Sequence, residues 1–157
     1  MSGKVTNIVI AGLGGQGVLK ASDILAELAL DQGLDVKKSE LHGMSQRGGS
    51  VTSDVRFGPQ VFSPMVPRGE ADYLVVLEPS EVAVNQAVLK PDGVLIGPQQ
   101  VDVARLKSKK SLNVALLGVL SRRLEFPPDA WRKAILANLD ERLHEMNLLA
   151  FEAGRGF

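Results

Sequence analysis

Residues 5–17 read Val-Thr-Asn-Ile-Val-Ile-Ala-Gly-Leu-Gly-Gly-Gln-Gly, and this stretch decides the fold. Its first seven residues form a short apolar run rich in β-branched side chains, which is typical of a buried parallel strand. Gly12, Gly14 and Gly17 follow at the spacing G-x-G-x-x-G, and a helical pattern begins directly after them. A strand, a glycine-rich turn and a helix in this order predict the first part of a βαβ unit.

The helix after the turn shows in the spacing of its apolar residues. From Ala21 to Ala29 they lie at i, i+3, i+4, i+7 and i+8, which is one face of a helix. Gly33 stands where such a helix would end, and residues 35–39 predict a second strand. The sequence therefore predicts a right-handed βαβ unit.

The glycine turn has the properties of an anion site. Glycine adopts unusual dihedral angles and lets the backbone approach a ligand, and the amides and dipole at a helix start favour a phosphate. A tight turn that binds nothing, or one that faces a partner protein, is the alternative. The candidate cofactor-binding residues of the turn are Gly12, Gly14, Gly15, Gln16 and Gly17.

A second polar segment, residues 39–50, reads Ser-Glu-Leu-His-Gly-Met-Ser-Gln-Arg-Gly-Gly-Ser. Loops of this length inside a compact domain are usually functional or mobile. Glu40 stands near the position of the ribose-binding acid of dinucleotide-binding proteins, and Arg47 could bind a phosphate or carboxylate bidentately. A solvated loop closed by a salt bridge is the alternative. The candidate cofactor-binding residues here are Glu40, His42, Met44, Ser45, Gln46, Arg47, Gly48 and Gly49.

The rest of the chain continues the α/β pattern. Residues 51–57 alternate between apolar and polar, which predicts a half-exposed strand, at an edge or antiparallel. Glu78 follows a buried strand, where open α/β sheets place ligands, although a charge at a helix entry is an equal alternative. The remaining predictions are strands over 71–77 and 94–96, a turn over 90–93, and helices over 79–89, 113–124, 131–139 and 143–153, with Gly154 ending the last helix.

These elements predict an α/β fold. We expect a single Rossmann-like three-layer domain over residues 1–157, with a mostly parallel sheet, one antiparallel or edge strand and a helical C-terminus. The length of 157 residues suits one domain.

Composition excludes several classes of function. Eighteen basic and eighteen acidic residues give zero net charge, which argues against non-specific nucleic-acid binding. The chain has no cysteine, so it cannot form a disulfide or ligate an iron–sulfur cluster, and its two histidines, His42 and His144, lie far apart. We therefore expect no bound metal. No run approaches the roughly 20 apolar residues of a membrane span, and we expect a cytoplasmic chain.

A small basic cluster follows the last predicted strand. A solvated face is its first interpretation, and attraction to an acidic partner or a nucleotide is the second. Its members are Arg105, Lys107, Lys109 and Lys110.

The motifs in combination resemble the gamma-type subunit of the 2-oxoacid:ferredoxin oxidoreductases, a family that includes the pyruvate/ketoisovalerate type. Within it the chain looks most like the beta subunit of indolepyruvate:ferredoxin oxidoreductase. The match runs in order along nearly the whole chain, and its two glycine-rich segments are specific in combination. The matching segments are Ile8–Leu19, Lys38–Val51, Ser63-Pro64, Gly69–Asp72, Glu78-Pro79, Asn113–Gly118 and Glu145–Gly154.

The resemblance implies a chain that works within an assembly and is inactive alone. In that family a 2-oxoacid is decarboxylated on thiamine diphosphate, electrons pass through iron–sulfur clusters to ferredoxin, and coenzyme A takes the acyl group. The thiamine diphosphate and the clusters belong mainly to partner chains, which agrees with the missing cysteines. The resemblance implies no catalytic residue and no tightly bound cofactor in this chain. It also implies a homodimer or hetero-oligomer without nucleic acid or membrane.

The resemblance also assigns a role to the two glycine-rich segments. The Gly12–Gly17 turn and the Glu40–Gly49 loop would pack against the catalytic partner or a phosphorylated cofactor. In one respect the chain departs from the family, because the stretch between Gly97 and Ser111 is shorter and a βα segment common there is replaced by lysine-rich sequence.

Two other functions stay open. One is an NAD-dependent dehydrogenase with Glu40 on the ribose, against which stand the small space for a substrate domain and the lack of a catalytic group beyond His42. The other is a stand-alone nucleotide- or coenzyme A-binding module without catalysis.

Overall fold

The structure, a computed structural model, describes residues 4–42 and 49–156. In that part of the chain five strands form one sheet in the order β2-β3-β1-β4-β5. The strands are β1 (Thr6–Leu13), β2 (Asp35–His42), β3 (Ser50–Gly58), β4 (Ala71–Val76) and β5 (Leu89–Ile96). The helices are α1 (Val18–Asp31), α2 (Val82–Asn85), α3 (Leu112–Ser121), α4 (Pro128–Asn138) and α5 (His144–Arg155). None of these helices is long and apolar enough to cross a bilayer.

The sheet is mixed, with one strand running against the other four. β1 and β5 flank β4 in parallel, whereas β3 runs antiparallel to both β1 and β2. This confirms the mostly parallel sheet with one antiparallel strand. The alternative position at an edge was wrong for β3, because it lies between β2 and β1. Its predicted alternation is confirmed, since Val51, Ser53, Val55 and Phe57 are buried and the residues between them are half-buried.

The strands β1 and β2, which run in the same direction, are not neighbours in the sheet. β1, α1 and β2 form the predicted strand-helix-strand succession, and Gly33 follows the helix in the left-handed conformation, with φ of +83°. However, β3 inserts between β1 and β2. In the dinucleotide-binding fold these two strands are adjacent. The unit is therefore a split βαβ unit, and its second strand lies at the edge of the sheet.

One face of the sheet carries the main helical layer. α1, α3, α4 and α5 bury a continuous cluster there, and each fully buried large side chain contributes about 1.5–3 kcal/mol. Four aromatic rings run through it, with centroid separations of 5.5 Å, 6.3 Å and 6.0 Å between successive pairs. They are Phe57, Phe126, Trp131 and Phe151. The predicted helical C-terminus is thus confirmed, and its helices form this layer together with α1.

The opposite face has a thinner cover. Val9, Ala11, Leu74 and Val76 pack there beneath Val66 and α2. The predicted continuous helix over 79–89 was wrong, because α2 is a single turn between two 3₁₀ turns at 79–81 and 86–88. The third layer is therefore mostly irregular chain.

Polar side chains of β3 hold that irregular cover in place. The Arg56 guanidinium donates to the carbonyls of Ser63 and Met65 at 2.8 and 3.2 Å. The Asp54 carboxylate accepts the backbone N–H of Val66 at 2.9 Å. These bonds satisfy backbone groups of a segment that has no ladder of its own.

Glycines allow α3 and α5 to pack closely. A Cβ on Gly154 would lie 1.8 Å from the carbonyl oxygen of Ala115, and one on Gly118 would lie 2.2 Å from that of Phe151. Gly154 is buried inside α5, so the prediction that it ends this helix was wrong. Its function is steric, because only a hydrogen atom fits between the two backbones.

Two smaller features complete the fold. The residues predicted as a turn over 90–93 belong to β5, where the register shifts so that Ala71 faces Leu89 and Tyr73 faces Val94. The chain therefore bulges out of the sheet there instead of turning back. His144 lies with Nε2 3.0 and 2.8 Å from the carbonyl oxygens of Leu136 and Leu139, so it caps the end of α4.

Candidate functional site

The described parts of the two glycine-rich segments meet where the strands β1 and β2 end. The backbone N–H of Gly14 donates to the carbonyl oxygen of Gly49 at 2.9 Å. Leu13 pairs with Ser50, and His42 pairs with Val51, so the carboxyl ends of β1 and β2 flank the start of β3. The candidate residues Met44, Ser45, Gln46, Arg47 and Gly48 lie outside the described residues.

The glycines of the turn have different functions. Gly15 and Gly17 adopt the left-handed conformation, with φ of +90° and +87°. Gly17 precedes α1 and packs closely, since a Cβ there would lie 2.4 Å from Nδ2 of Asn113. Gly12 is also enclosed, with Gln16 Oε1 2.9 Å from its Cβ position. Gly15 faces open space, with no atom of the described residues within 4 Å of its Cβ position, so a ligand could approach the backbone there.

Gln16 connects the ends of two strands. Its Oε1 accepts the backbone N–H of Leu13 at 2.7 Å, and its Nε2 donates to Oε1 of Glu78 at 3.0 Å. The sequence marked Gln16 as a binding residue and Glu78 as a residue at a carboxyl strand end. The structure gives the pair an internal role, because their bond links the end of β1 to the residue that follows β4.

A pocket of about 660 Å³ opens beside this turn. Its apolar wall includes Leu77, Val103, Leu106 and Leu112, and its polar lining includes Gly15, Gln16, Glu78, Lys107, Lys109 and Lys110. Lys107 bonds to Glu145 at 3.2 Å, whereas the exposed Lys109 and Lys110 form no ion pair with any described residue. The site therefore combines an open glycine backbone with two solvated cations, a combination that suits a phosphate.

The sequence did not connect the basic cluster to the glycine turn. The topology brings the basic cluster and the glycine turn together, because β1, β4 and β5 are parallel and end on the same side of the sheet. The chain after Ile96 therefore starts at the same edge as Gly12. The signal available in the sequence was that the lysines follow a predicted strand within the parallel set.

A second pocket of about 370 Å³ lies on the other side of the turn. Its lining includes Gly14, Gly17, Lys20 and His42, so the structure places His42 beside the turn. Glu40 is not among the residues that line either pocket. Because β3 lies between β2 and β1, Glu40 sits two strand spacings, or about 10 Å, from β1.

Comparison with known proteins relates the whole chain to one enzyme family. The family model "Pyruvate ferredoxin/flavodoxin oxidoreductase" matches residues 7–107. The indolepyruvate oxidoreductase subunit IorB of Methanothermobacter thermautotrophicus is 32% identical over 189 aligned positions, covering 96% of each chain. The alignment is longer than the 157 residues of this chain, so this relative carries segments that the chain lacks.

Two solved structures share the fold. The gamma subunit of keto/oxoacid ferredoxin oxidoreductase from Geobacter sulfurreducens has a TM-score of 0.81 and 24% identity, covering 98% of this chain and 95% of that one. The 2-oxoglutarate:ferredoxin oxidoreductase of Magnetococcus marinus, with 2-oxoglutarate, coenzyme A and succinyl-CoA bound, has a TM-score of 0.83 and 19% identity. That match covers 98% of this chain and 31% of the other, so the fold seen here also occurs as part of a longer polypeptide.

Proposed function

Because the chain belongs to the pyruvate ferredoxin/flavodoxin oxidoreductase family, we propose that it is the non-cluster subunit of a thiamine diphosphate-dependent 2-oxoacid:ferredoxin oxidoreductase. The substrate is indolepyruvate or another 2-oxoacid. In the complex the 2-oxoacid loses CO₂, coenzyme A takes the acyl group, and the electrons pass to ferredoxin. This chain has no cysteine, so thiolate-bound clusters must belong to a partner chain.

This proposal depends on one observation: the described parts of the two glycine-rich segments meet at the carboxyl ends of β1 and β2. A subunit without a reacting group acts by binding and positioning. The Gly14–Gly49 hydrogen bond and the pairing of His42 with Val51 place both described ends of the second segment beside the turn, where the two can face the catalytic partner together. Segments at opposite ends of the fold would have offered no such surface.

The pocket beside Gly15 supports a contact with the phosphorylated part of coenzyme A. Its volume of about 660 Å³ is within the usual range for ligand sites, and its walls are mostly apolar. Lys109 and Lys110 supply positive charge, while Gly15 exposes backbone. In this proposal the chain holds coenzyme A only together with its partner, and thiamine diphosphate stays on the partner chain.

The dehydrogenase alternative is not favoured by the geometry. A ribose-binding acid must end the strand next to β1, but β3 occupies that place and Glu40 lies one strand further out. The coenzyme A-binding module without catalysis is the second candidate. The pocket supports this module as well as it supports the oxidoreductase subunit, and the experiment below distinguishes the two functions.

Further properties belong to the same proposal. The chain is inactive alone, assembles with thiamine-binding and cluster-binding chains as a homodimer or hetero-oligomer, and works in the cytoplasm. Residues 1–157 form a single domain, which is supported by one hydrophobic cluster that draws on residues from Ile8 to Phe151.

Activity assays on the pure chain and on the native complex test the proposal. The purified chain should turn over no 2-oxoacid with a dye acceptor, whereas the complex isolated from the native host should do so in the presence of coenzyme A. Turnover of a 2-oxoacid or of NAD by the pure chain would overturn the proposal. Binding of coenzyme A by a chain that never recruits a catalytic partner would favour the binding module.

A further inference from the structure

In the part of the chain that the structure describes, one side of the β2 backbone has no neighbouring strand. β2 lies at the edge of the sheet, and among the described residues it pairs only with β3. All eight of its residues pair in continuous register, from Asp35 with Gly58 to His42 with Val51. The opposite edge is different, because β5 contains Pro91 and a bulge, two devices that protect an edge from further pairing. β2 has neither device.

The charges of β2 do not repel a second strand of the same kind. Its sequence, Asp-Val-Lys-Lys-Ser-Glu-Leu-His, contains two lysines and two carboxylates. Lysines often protect an edge strand by repulsion. Here Lys37 bonds to Asp35 at 3.3 Å and Lys38 bonds to Asp23, so both ammonium groups already have a negative partner. A strand with zero net charge can approach its own copy.

We propose that β2 pairs antiparallel with β2 of a second copy of this chain, about a two-fold axis at Ser39. Such an axis is perpendicular to the sheet, so residues directly opposite each other must face the same side. A two-fold axis at Ser39 satisfies this condition. It places Lys38, which keeps its bond to Asp23, opposite Glu40 of the second copy, and Glu40 opposite Lys38 of that copy, so no like charges lie directly opposite each other at these two pairs.

The neighbouring registers are disfavoured by charge. An axis at Lys38 would place the two Lys38 side chains opposite each other, and an axis at Glu40 would oppose the two Glu40 carboxylates. An axis between two residues would pair side chains from opposite faces, which the pleat forbids. Charge and pleat therefore favour the register at Ser39 over these neighbours.

The same register covers an exposed apolar side chain. Leu41 is 71% exposed on β2. In the proposed pairing it lies opposite Lys37 of the second copy, whose aliphatic stem can cover it. Two five-stranded sheets would join into one continuous sheet of ten. The paired strands are antiparallel, so the strands of the two copies end on opposite sides of that sheet. The two glycine-turn sites therefore point in opposite directions, and each can meet a catalytic partner of its own.

Single cysteines test the register directly, because the 157-residue sequence contains none. In a Ser39→Cys variant the two Cα atoms would be about 4.5–5.5 Å apart, a separation that permits a disulfide. In a Leu41→Cys variant the two cysteines would be offset by four residues, or about 13 Å, which is too far. Under mild oxidation we expect a cross-linked dimer on a non-reducing gel from the first variant and monomer from the second.

Charge reversal provides an independent test. Glu40→Lys and Lys38→Glu each place like charges opposite each other, so each variant alone should dimerise at least about tenfold more weakly in sedimentation velocity. Mixing the two variants restores opposite charges at both pairs and should give a heterodimer. Glu141→Lys makes the same charge change at an exposed residue outside the sheet and should dimerise like the wild type.

A wild-type chain that stays monomeric at all concentrations would overturn the pairing. So would equal cross-linking of the two cysteine variants, failure of the mixed variants to associate, or cross-linking of the Ser39→Cys variant to a catalytic partner instead of to itself. The proposed function would stand in each of these cases, because turnover by the complex tests it separately.

Discussion

Asn113 donates a hydrogen bond of 3.1 Å from its side-chain amide to the carbonyl oxygen of Gly17, a residue 96 positions earlier in the chain. The bond joins the start of α3 to the start of α1, beside the pocket at the carboxyl ends of the parallel strands. Asn113 is buried, and the same amide nitrogen would lie 2.4 Å from a Cβ on Gly17. The conformation of the glycine turn therefore depends on a helix from the other half of the chain.

A Gly17→Ala variant should lose stability for two reasons. The new methyl group collides with Asn113, and alanine disfavours a φ of +87°. We expect a loss of about 2–3 kcal/mol in urea unfolding monitored by circular dichroism. Gly15→Ala is the matched control, because its φ is +90° but its Cβ would contact none of the described residues. Equal losses for the two variants would show that Asn113 makes no steric demand.

Gly154→Ala should separate α3 from α5. Its Cβ would lie 1.8 Å from the backbone oxygen of Ala115, and a backbone atom cannot move aside without moving its helix. We expect a net loss of about 2 kcal/mol despite the better helix propensity of alanine, seen as a fall in Tm of about 4–8 °C. Gly156→Ala, where the nearest atom is 3.2 Å away, should change Tm by far less. An unchanged Tm for Gly154→Ala would contradict the close helix packing.

These glycines show where local sequence patterns stop being informative. The strand over 5–11, the alternation over 51–57 and the end of α1 near Gly33 followed from side-chain periodicity and backbone preference, which are local properties. Gly154 stood near the end of a helical pattern and predicted a helix end, because its contact with α3 is not visible in the sequence. A glycine that lets two helices pack closely and one that ends a helix look alike in a single sequence.

The strand order was beyond local reasoning for a related reason. Strand 51–57 showed that one of its faces is buried, but a burial pattern does not say which strands lie on its two sides. The insertion of β3 between β1 and β2 moved Glu40 away from the turn. The parallel pairing of β4 with β1 and β5 brought Lys109 and Lys110 toward it. The sequence thus pointed to the glycine turn as a candidate site, but it did not place Lys109 and Lys110 beside that turn.

Reversing the charges of Lys109 and Lys110 should weaken coenzyme A binding by the assembled complex. In a Lys109→Glu/Lys110→Glu variant two carboxylates replace two cations beside Gly15, and they repel the phosphates of the ligand. We expect the Kd for coenzyme A, measured by calorimetry, to rise at least about tenfold. Lys133→Glu, an exposed lysine on α4, is the control and should leave the Kd unchanged. An equal Kd for all three proteins would exclude coenzyme A from this pocket.

Asp54→Asn should stabilise the chain in a pH-dependent manner. Burial raises the pKa of Asp54 above its ordinary value of 3.8, and the hydrogen bond from Val66 N–H only partly offsets this. A raised pKa means that the folded state favours the protonated carboxyl. The favourable contribution of this group is therefore complete below pH 3.8 and is lost as the pH rises through the pKa of the folded state.

Asparagine has no charge to desolvate and can still accept the Val66 N–H bond. The Tm of Asp54→Asn should therefore match the wild type near pH 3 and exceed it increasingly up to pH 7. Asp92→Asn, whose native side chain is 84% exposed, should follow the wild-type profile throughout. A variant that is less stable than the wild type at pH 7 would mean that the Asp54 carboxylate contributes more as an ion than its burial costs, and the direction assigned to its pKa would then be wrong.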